Sequence, residues 1–70
     1  MHVQTATTDP ELVRTKMLDL GPDAVWVDFE SSGRALVTMR IDDSDPERVQ
    51  AVLAAVDGWQ AEGLISGWAS

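Results

Sequence analysis

Apolar residues recur along this chain with two different periods, and the change of period separates helices from strands. In the stretch "RVQAVLAAV" they fall at Val49, Val52, Leu53 and Val56, the i, i+3, i+4, i+7 spacing of one helix face. Between residues 25 and 41 they alternate with polar residues, which is typical of strands with one buried face. The pattern therefore predicts a β-hairpin between two helices.

The two helices are predicted to begin at matched sequences, "TDPELV" and "SDPERV". Asp is a strong N-cap and Pro fits the first helical position, so Asp9 and Asp45 are the preferred caps. The alternative is a capping box from Thr8 and Ser44, each with a Glu three residues later. That frame would place an Asp in helical geometry directly before Pro, which steric contacts disfavour.

The sequence indicates one end for the first helix and two possible ends for the second. The first helix is predicted to run from about Pro10 to Leu20, because "GP" follows and neither residue continues a helix well. The second has two candidate ends: Gly58, or a continuation through Trp59 to Gly63.

The hairpin is predicted to have a three-residue loop, Ser31–Ser32–Gly33. All its core-facing positions carry odd numbers, and directly opposed residues share a face, so the loop holds an odd number of residues. Gly33 is expected to adopt a left-handed conformation. The predicted cross-strand pairs are Val27 with Val37, Phe29 with Ala35, Val25 with Met39, and Glu30 with Arg34.

Weaker strand signals at both ends complete the predicted fold. "HVQTAT" and "LISGWAS" each have the composition of a short strand. With them the order becomes βαββαβ, the ferredoxin-like split βαβ arrangement of the α+β class. We predict one small domain over residues 1–70, with a four-stranded antiparallel sheet and both helices on one of its faces.

Composition narrows the choice of partner. Twelve acidic residues against five basic ones give a net charge of −7, the wrong sign for a phosphate-backbone binder. Direct binding to nucleic acid or to an anionic membrane is therefore not expected, whereas a protein with a basic surface would be attracted. With no long apolar run and no basic, apolar leader, a cytoplasmic location is expected.

The sequence offers little material for catalysis. There is no cysteine and only one histidine, His2, so neither a zinc site nor an activated nucleophile can be assembled from them. The "DDSD" cluster, residues 42–45, is interpreted as a strand-to-helix turn, with a weak cation site as the alternative. No enzyme activity, cofactor or metal is predicted.

One face of the predicted sheet is the candidate binding surface. Alternation places Trp26 and Leu36 on the face away from the helices, where a two-layer fold has no cover. The competing interpretation is that Trp26 lies flat over its neighbours. The predicted binding residues are Trp26, Leu36, Thr38, Arg40, Asp28 and Trp68.

The function expected from this surface is that of a non-enzymatic, acidic protein-binding module. A small regulator, an inhibitor, an immunity-type protein or a phage accessory factor would fit, with homodimerisation through the sheet face as a further option. The alternatives are a nucleic-acid mimic that inhibits a DNA- or RNA-binding protein, and a dimeric small-ligand regulatory domain. The fold alone does not choose among these functions.

Overall fold

Four strands and two helices alternate in the order β-α-β-β-α-β in the computed structural model, which describes residues 1–30 and 32–70. The elements are β1 (His2–Thr7), α1 (Pro10–Asp19), β2 (Ala24–Phe29), β3 (Ala35–Arg40), α2 (Pro46–Ala61) and β4 (Gly67–Ala69). The sheet order is β2-β3-β1-β4, and every neighbouring pair is antiparallel. The predicted α+β, ferredoxin-like fold is confirmed.

The hairpin register is the predicted one. Val27 lies opposite Val37 and the pairing continues without interruption along β2 and β3. The Glu30 N–H donates to the Arg34 carbonyl at 2.9 Å, which closes the hairpin at its tip. Gly33 has φ of 78°, the predicted left-handed conformation. Ser31 of the predicted loop lies outside the described residues.

Aspartate side chains cap both helices, as predicted. The Asp45 carboxylate accepts from the N–H groups of Glu47 and Arg48 at 3.1 and 3.4 Å, and Pro46 opens the helix. Asp9 caps α1 with one such bond, from the Leu12 N–H at 3.4 Å. These contacts select the aspartate frame over the capping box and locate both helix starts.

The helix ends depend on glycines and on one arginine. α1 ends before Gly21, whose φ is 70°. α2 continues through Gly58 and ends near Gly63, whose φ is 80°, so the longer alternative is the observed one. The Arg48 guanidinium reaches back from α2 to the Leu20 carbonyl, at 3.3 Å, and to the Gly21 carbonyl. A cation there satisfies free carbonyls and favours the negative end of the α1 dipole.

The core lies between one sheet face and the two helices. Odd-numbered residues of β1, β2 and β3 meet the apolar stripes of α1 and α2, and Trp59, three residues after Val56, is buried among them. Phe29 is the exception: it belongs to this helix side of the sheet but is 80% exposed. The core residues are Val3, Val13, Met17, Val37, Met39, Ile41, Val52, Val56, Trp59 and Ile65.

Candidate functional site

The candidate site is the sheet face that carries the even-numbered residues of β1, β2 and β3 and the odd-numbered residues of β4, called here the open face. Directly opposed residues in antiparallel strands share a face. The register therefore places Trp26 beside Thr38, Thr38 beside Gln4, and Gln4 beside Ala69. The open face comprises His2, Gln4, Ala6, Ala24, Trp26, Asp28, Leu36, Thr38, Arg40, Gly67 and Ala69.

Trp26 both covers part of this face and remains accessible. Its indole meets the His2 imidazole edge-on, with ring centroids 5.5 Å apart and planes at 83°. Since His2 is on β1 and Trp26 on β2, the two rings approach each other across β3. Trp26 is 39% exposed, whereas its cross-strand neighbour Thr38 is only 4% exposed. Trp26 therefore packs against His2 and still has accessible surface, and its role in binding stays a prediction.

The Thr38 hydroxyl is an unusual group in this position. Within residues 1–30 and 32–70 its oxygen is the buried side-chain atom without a hydrogen-bond partner. Leaving a buried polar group unpaired costs about 1–3 kcal/mol. We therefore expect the Thr38 hydroxyl to lower the stability of the isolated domain, and a bound group that offered a hydrogen bond would relieve that cost.

Two shallow hollows lie on the open face and share Gln4 and Ala69, which line both. The larger one, about 340 Å³, is bordered by His2, Trp26 and Thr38. The smaller one, about 180 Å³, lies beside Leu36. Small residues make this depression possible, because Ala6, Gly67 and Ala69 are the other open-face residues that line the two hollows.

The charge of the open face differs from that of the whole chain. Arg40 is exposed, and its directly opposed residues are His2 and Ala24, neither of which is acidic. Asp28, the acidic residue within the paired strands, lies opposite Leu36. A domain of net charge −7 therefore presents a face with one arginine at one end and one aspartate near the other.

Five of the six residues predicted for binding are brought together here: Trp26, Asp28, Leu36, Thr38 and Arg40. Trp68 is placed elsewhere. It pairs with Thr5, whose side chain is buried on the helix side, and it packs half-buried against the core. It reaches the site only as a border of the smaller hollow.

His2, Gln4 and Ala69 belong to the site but were not singled out from the sequence. His2 is the first residue of β1, which pairs with both β3 and β4. A signal was present, since Val3, Thr5 and Thr7 alternate with more polar or smaller neighbours and are all buried. Such alternation is typical of a strand with one buried face, and it places the residues between the buried ones on the open face.

The acidic cluster at residues 42–45 forms the predicted turn. Asp42 accepts from the Ser44 N–H at 3.0 Å, and Asp45 caps α2. The Ser44 backbone N–H, with help from its hydroxyl, holds the pKa of Asp42 below its ordinary value. Across the part of the chain that the structure describes, no three His, Asp or Glu side chains gather as a metal site would require.

Comparison with known proteins gives no match to a family model, a curated protein or a solved structure. In the described residues, neither helix combines the length and the apolar character needed to cross a bilayer. The interpretation of the site therefore depends on its own geometry and chemistry.

Proposed function

We propose that this domain is a non-enzymatic protein-binding module that docks a partner on the open face. The observation that carries the proposal is the partly exposed Trp26, which lines one of the two hollows, on a face that the two helices leave uncovered. Tryptophan and arginine are enriched among the residues that dominate binding energy. Trp26 and Arg40 lie on adjacent strands of the same face.

The surface has a definite chemical complement. An apolar side chain of the partner would enter the hollow beside Trp26, and a hydrogen-bonding group would reach Thr38. An acidic group would pair with Arg40, whose directly opposed residues on β1 and β2 offer no carboxylate. The hollows are shallow and open, so they would leave much of a small ligand in solvent, whereas they suit one or two side chains of a protein surface.

Nucleic-acid mimicry is the weaker alternative. A mimic requires carboxylates in a spaced row that resembles a phosphate backbone. The acidic residues here are distributed over both helices, β2 and several turns, and two of them are helix caps. On the open face itself the paired strands contribute the single carboxylate of Asp28.

The test is affinity capture with the wild-type domain and three single variants. Trp26→Ala and Leu36→Ala alter the open face. Leu12→Ala is the control, since it removes a leucine of α1 whose exposure is close to that of Trp26. A specific partner should be retained by the wild type and by Leu12→Ala, and should be lost with Trp26→Ala. Loss of an interface anchor typically costs 2 kcal/mol or more, about 30-fold in affinity.

The affinity of the purified partner is then measured for each variant. Arg40→Glu should also weaken binding, because the substitution places a carboxylate opposite the partner's acidic group. Unfolding of each variant in urea is measured in parallel, with a cost of about 1 kcal/mol expected for the half-exposed Trp26. If the wild type and the three alanine variants all retain a partner equally, that partner does not bind at the open face.

A further inference from the structure

We propose that β2 is a dimerisation edge, at which two copies of this chain join their sheets through antiparallel, twofold-related β2 strands. This surface is the rim of the sheet, and it is distinct from the open face. The sheet has two rims. One is β4, which has three residues, and the other is β2, which has six.

The backbone of β2 has groups available for another strand. The Glu30 N–H donates to Arg34 of the facing strand, so even-numbered residues of β2 bond to β3. In an antiparallel pair this alternation turns the N–H and C=O groups of the odd-numbered residues outward. Val25, Val27 and Phe29 thus present unpaired groups along the rim, since β2 is the last strand on this side of the sheet that residues 1–30 and 32–70 form.

The rim lacks most of the features that usually prevent strand pairing. Natural edges are protected by charged side chains, above all lysine, by prolines, by bulges or by short strands. β2 has one such feature, the charge of Asp28, which lies on the open face. Within Ala24–Phe29 there is no lysine or proline, and the pairing to β3 is regular along the whole strand. Phe29 adds an apolar group that is 80% exposed, which a monomer leaves in water.

One register satisfies these groups in both copies. With the twofold axis at Val27, this residue faces itself, and Val25 faces Phe29 of the second copy. Every outward N–H and C=O of the three residues then has a partner. An axis at Asp28 would oppose two carboxylates, which is unfavourable. An axis at Trp26 would leave Phe29 opposite Asp23, beyond the end of the strand.

The helix side of the rim provides a place for the side chains. A hollow of about 400 Å³, lined by Pro10, Glu11, Arg14, Val27 and Phe29, separates the start of α1 from the end of β2. In the proposed register, Val25 of the second copy enters beside Phe29. Leu18 is half-exposed and shares the Arg14 side of α1, so it adds an apolar group at the other end of the same rim.

The chain contains no cysteine, so a single introduced thiol tests the register without interference. Two copies of Val27→Cys would face each other with Cα atoms about 5.5 Å apart, within the range for a disulfide. Ala24→Cys is the matched control on the same strand: its two copies would lie about 20 Å apart, too far to bond. Oxidation should link Val27→Cys dimers and leave Ala24→Cys monomeric on a denaturing gel.

Sedimentation and amide exchange test the interface in the protein without thiols. Sedimentation should show a dimer that strengthens with added salt, because each copy carries a net charge of −7. Phe29→Pro should raise the dissociation constant at least about tenfold while the fold persists, since proline is tolerated at an edge where the N–H faces outward. Leu12→Ala should leave the constant unchanged.

Amide hydrogen exchange gives the residue-level readout. On dilution of the dimer, Val25, Val27 and Phe29 should lose protection, whereas the Trp26 and Asp28 amides should keep theirs through β3. A chain that stays monomeric at millimolar concentration and high salt would overturn the proposal. So would a dimer in which these three amides exchange freely, or one that is linked through Ala24→Cys in preference to Val27→Cys.

Discussion

Strand β3 contributes to both faces of the sheet, and its alternate residues have different surroundings. Ala35, Val37 and Met39 are buried against the helices, at 1% exposure or less. Between them lie Leu36, half-buried, and Thr38, which is buried near the single indole of Trp26. The same six residues of backbone therefore support a packed face and an open one.

The two faces differ more in whether helices pack on them than in the types of residue that they contain. The helix side contains buried threonines, Thr5 and Thr7, and both hydroxyls donate hydrogen bonds to backbone carbonyls at 2.9 Å. The open face contains Thr38, whose hydroxyl has no partner among the described residues. The packed face is internally satisfied, whereas the open face retains a polar group and apolar surface that a partner could satisfy.

The largest expected effect contrasts truncations on the two faces of β3. Met39→Ala should lower the free energy of unfolding by about 2–5 kcal/mol, because it opens a cavity in a fully buried site. Leu36→Ala, on the open face, should cost about 1 kcal/mol, since Leu36 is only half-buried. Urea unfolding of both variants measures the difference. Equal losses would mean that the open face is packed as tightly as the core.

The next effect concerns the helices that cover one face. Asp45→Ala should destabilise the domain by about 0.5–2 kcal/mol, because the carboxylate accepts from two N–H groups at the start of α2. Asp9→Ala should cost less, since Asp9 accepts from one N–H at 3.4 Å. Ser44→Ala and Thr8→Ala are the controls and should cost less than the neighbouring aspartate variants. A larger loss at Ser44 than at Asp45 would restore the capping-box frame.

A third effect concerns the register that assigns residues to faces. Gly33→Ala should cost about 1 kcal/mol, because the left-handed φ of 78° disfavours a residue with a Cβ. A Cβ at this position would meet no atom within 4 Å, so the cost should come from the backbone alone. Gly67→Ala, in β4, is a control without positive φ. Coincident unfolding curves for Gly33→Ala and the wild type would contradict this account.

Much of the fold could be predicted from local chemistry. Each of the correctly predicted features depends on a few neighbouring residues. These features are the caps at Asp9 and Asp45, the loop that ends at Gly33 and the two hydrophobic periods. The end of α2 was ambiguous because Gly58 can end a helix or lie inside one, and distant packing of Trp59 decides between them. The exposure of Phe29 also depends on a part of the chain distant in sequence, because the start of α1 leaves a hollow beside this side chain.

The candidate site was only half predictable for the same reason. Strand parity assigned Trp26, Leu36, Thr38, Arg40 and Asp28 to one face, because alternation is a local property. The face of Trp68 depends on its register with β1, a pairing across more than sixty residues of chain. The burial of Thr38 depends on where the Trp26 indole lies, which strand periodicity does not specify.

The smallest effect gives the most direct comparison of the two faces, because one substitution is made at two buried threonines. Thr38→Val replaces an unpaired hydroxyl with a methyl group and should raise the free energy of unfolding by up to about 1 kcal/mol. Thr5→Val removes the hydrogen bond to the Val37 carbonyl and should lower it by about 0.5–1.5 kcal/mol.

Opposite signs in urea unfolding would establish that the helix side is satisfied and that the open face is not. If both variants lose stability equally, the Thr38 hydroxyl is already paired, and the open face has no unsatisfied polar group to offer. A gain in stability at Thr38 should also be accompanied by weaker partner binding, because the valine cannot return the hydrogen bond that the partner would supply. Stability and binding would then change in opposite directions at one atom, as expected of a residue kept for binding at the expense of folding.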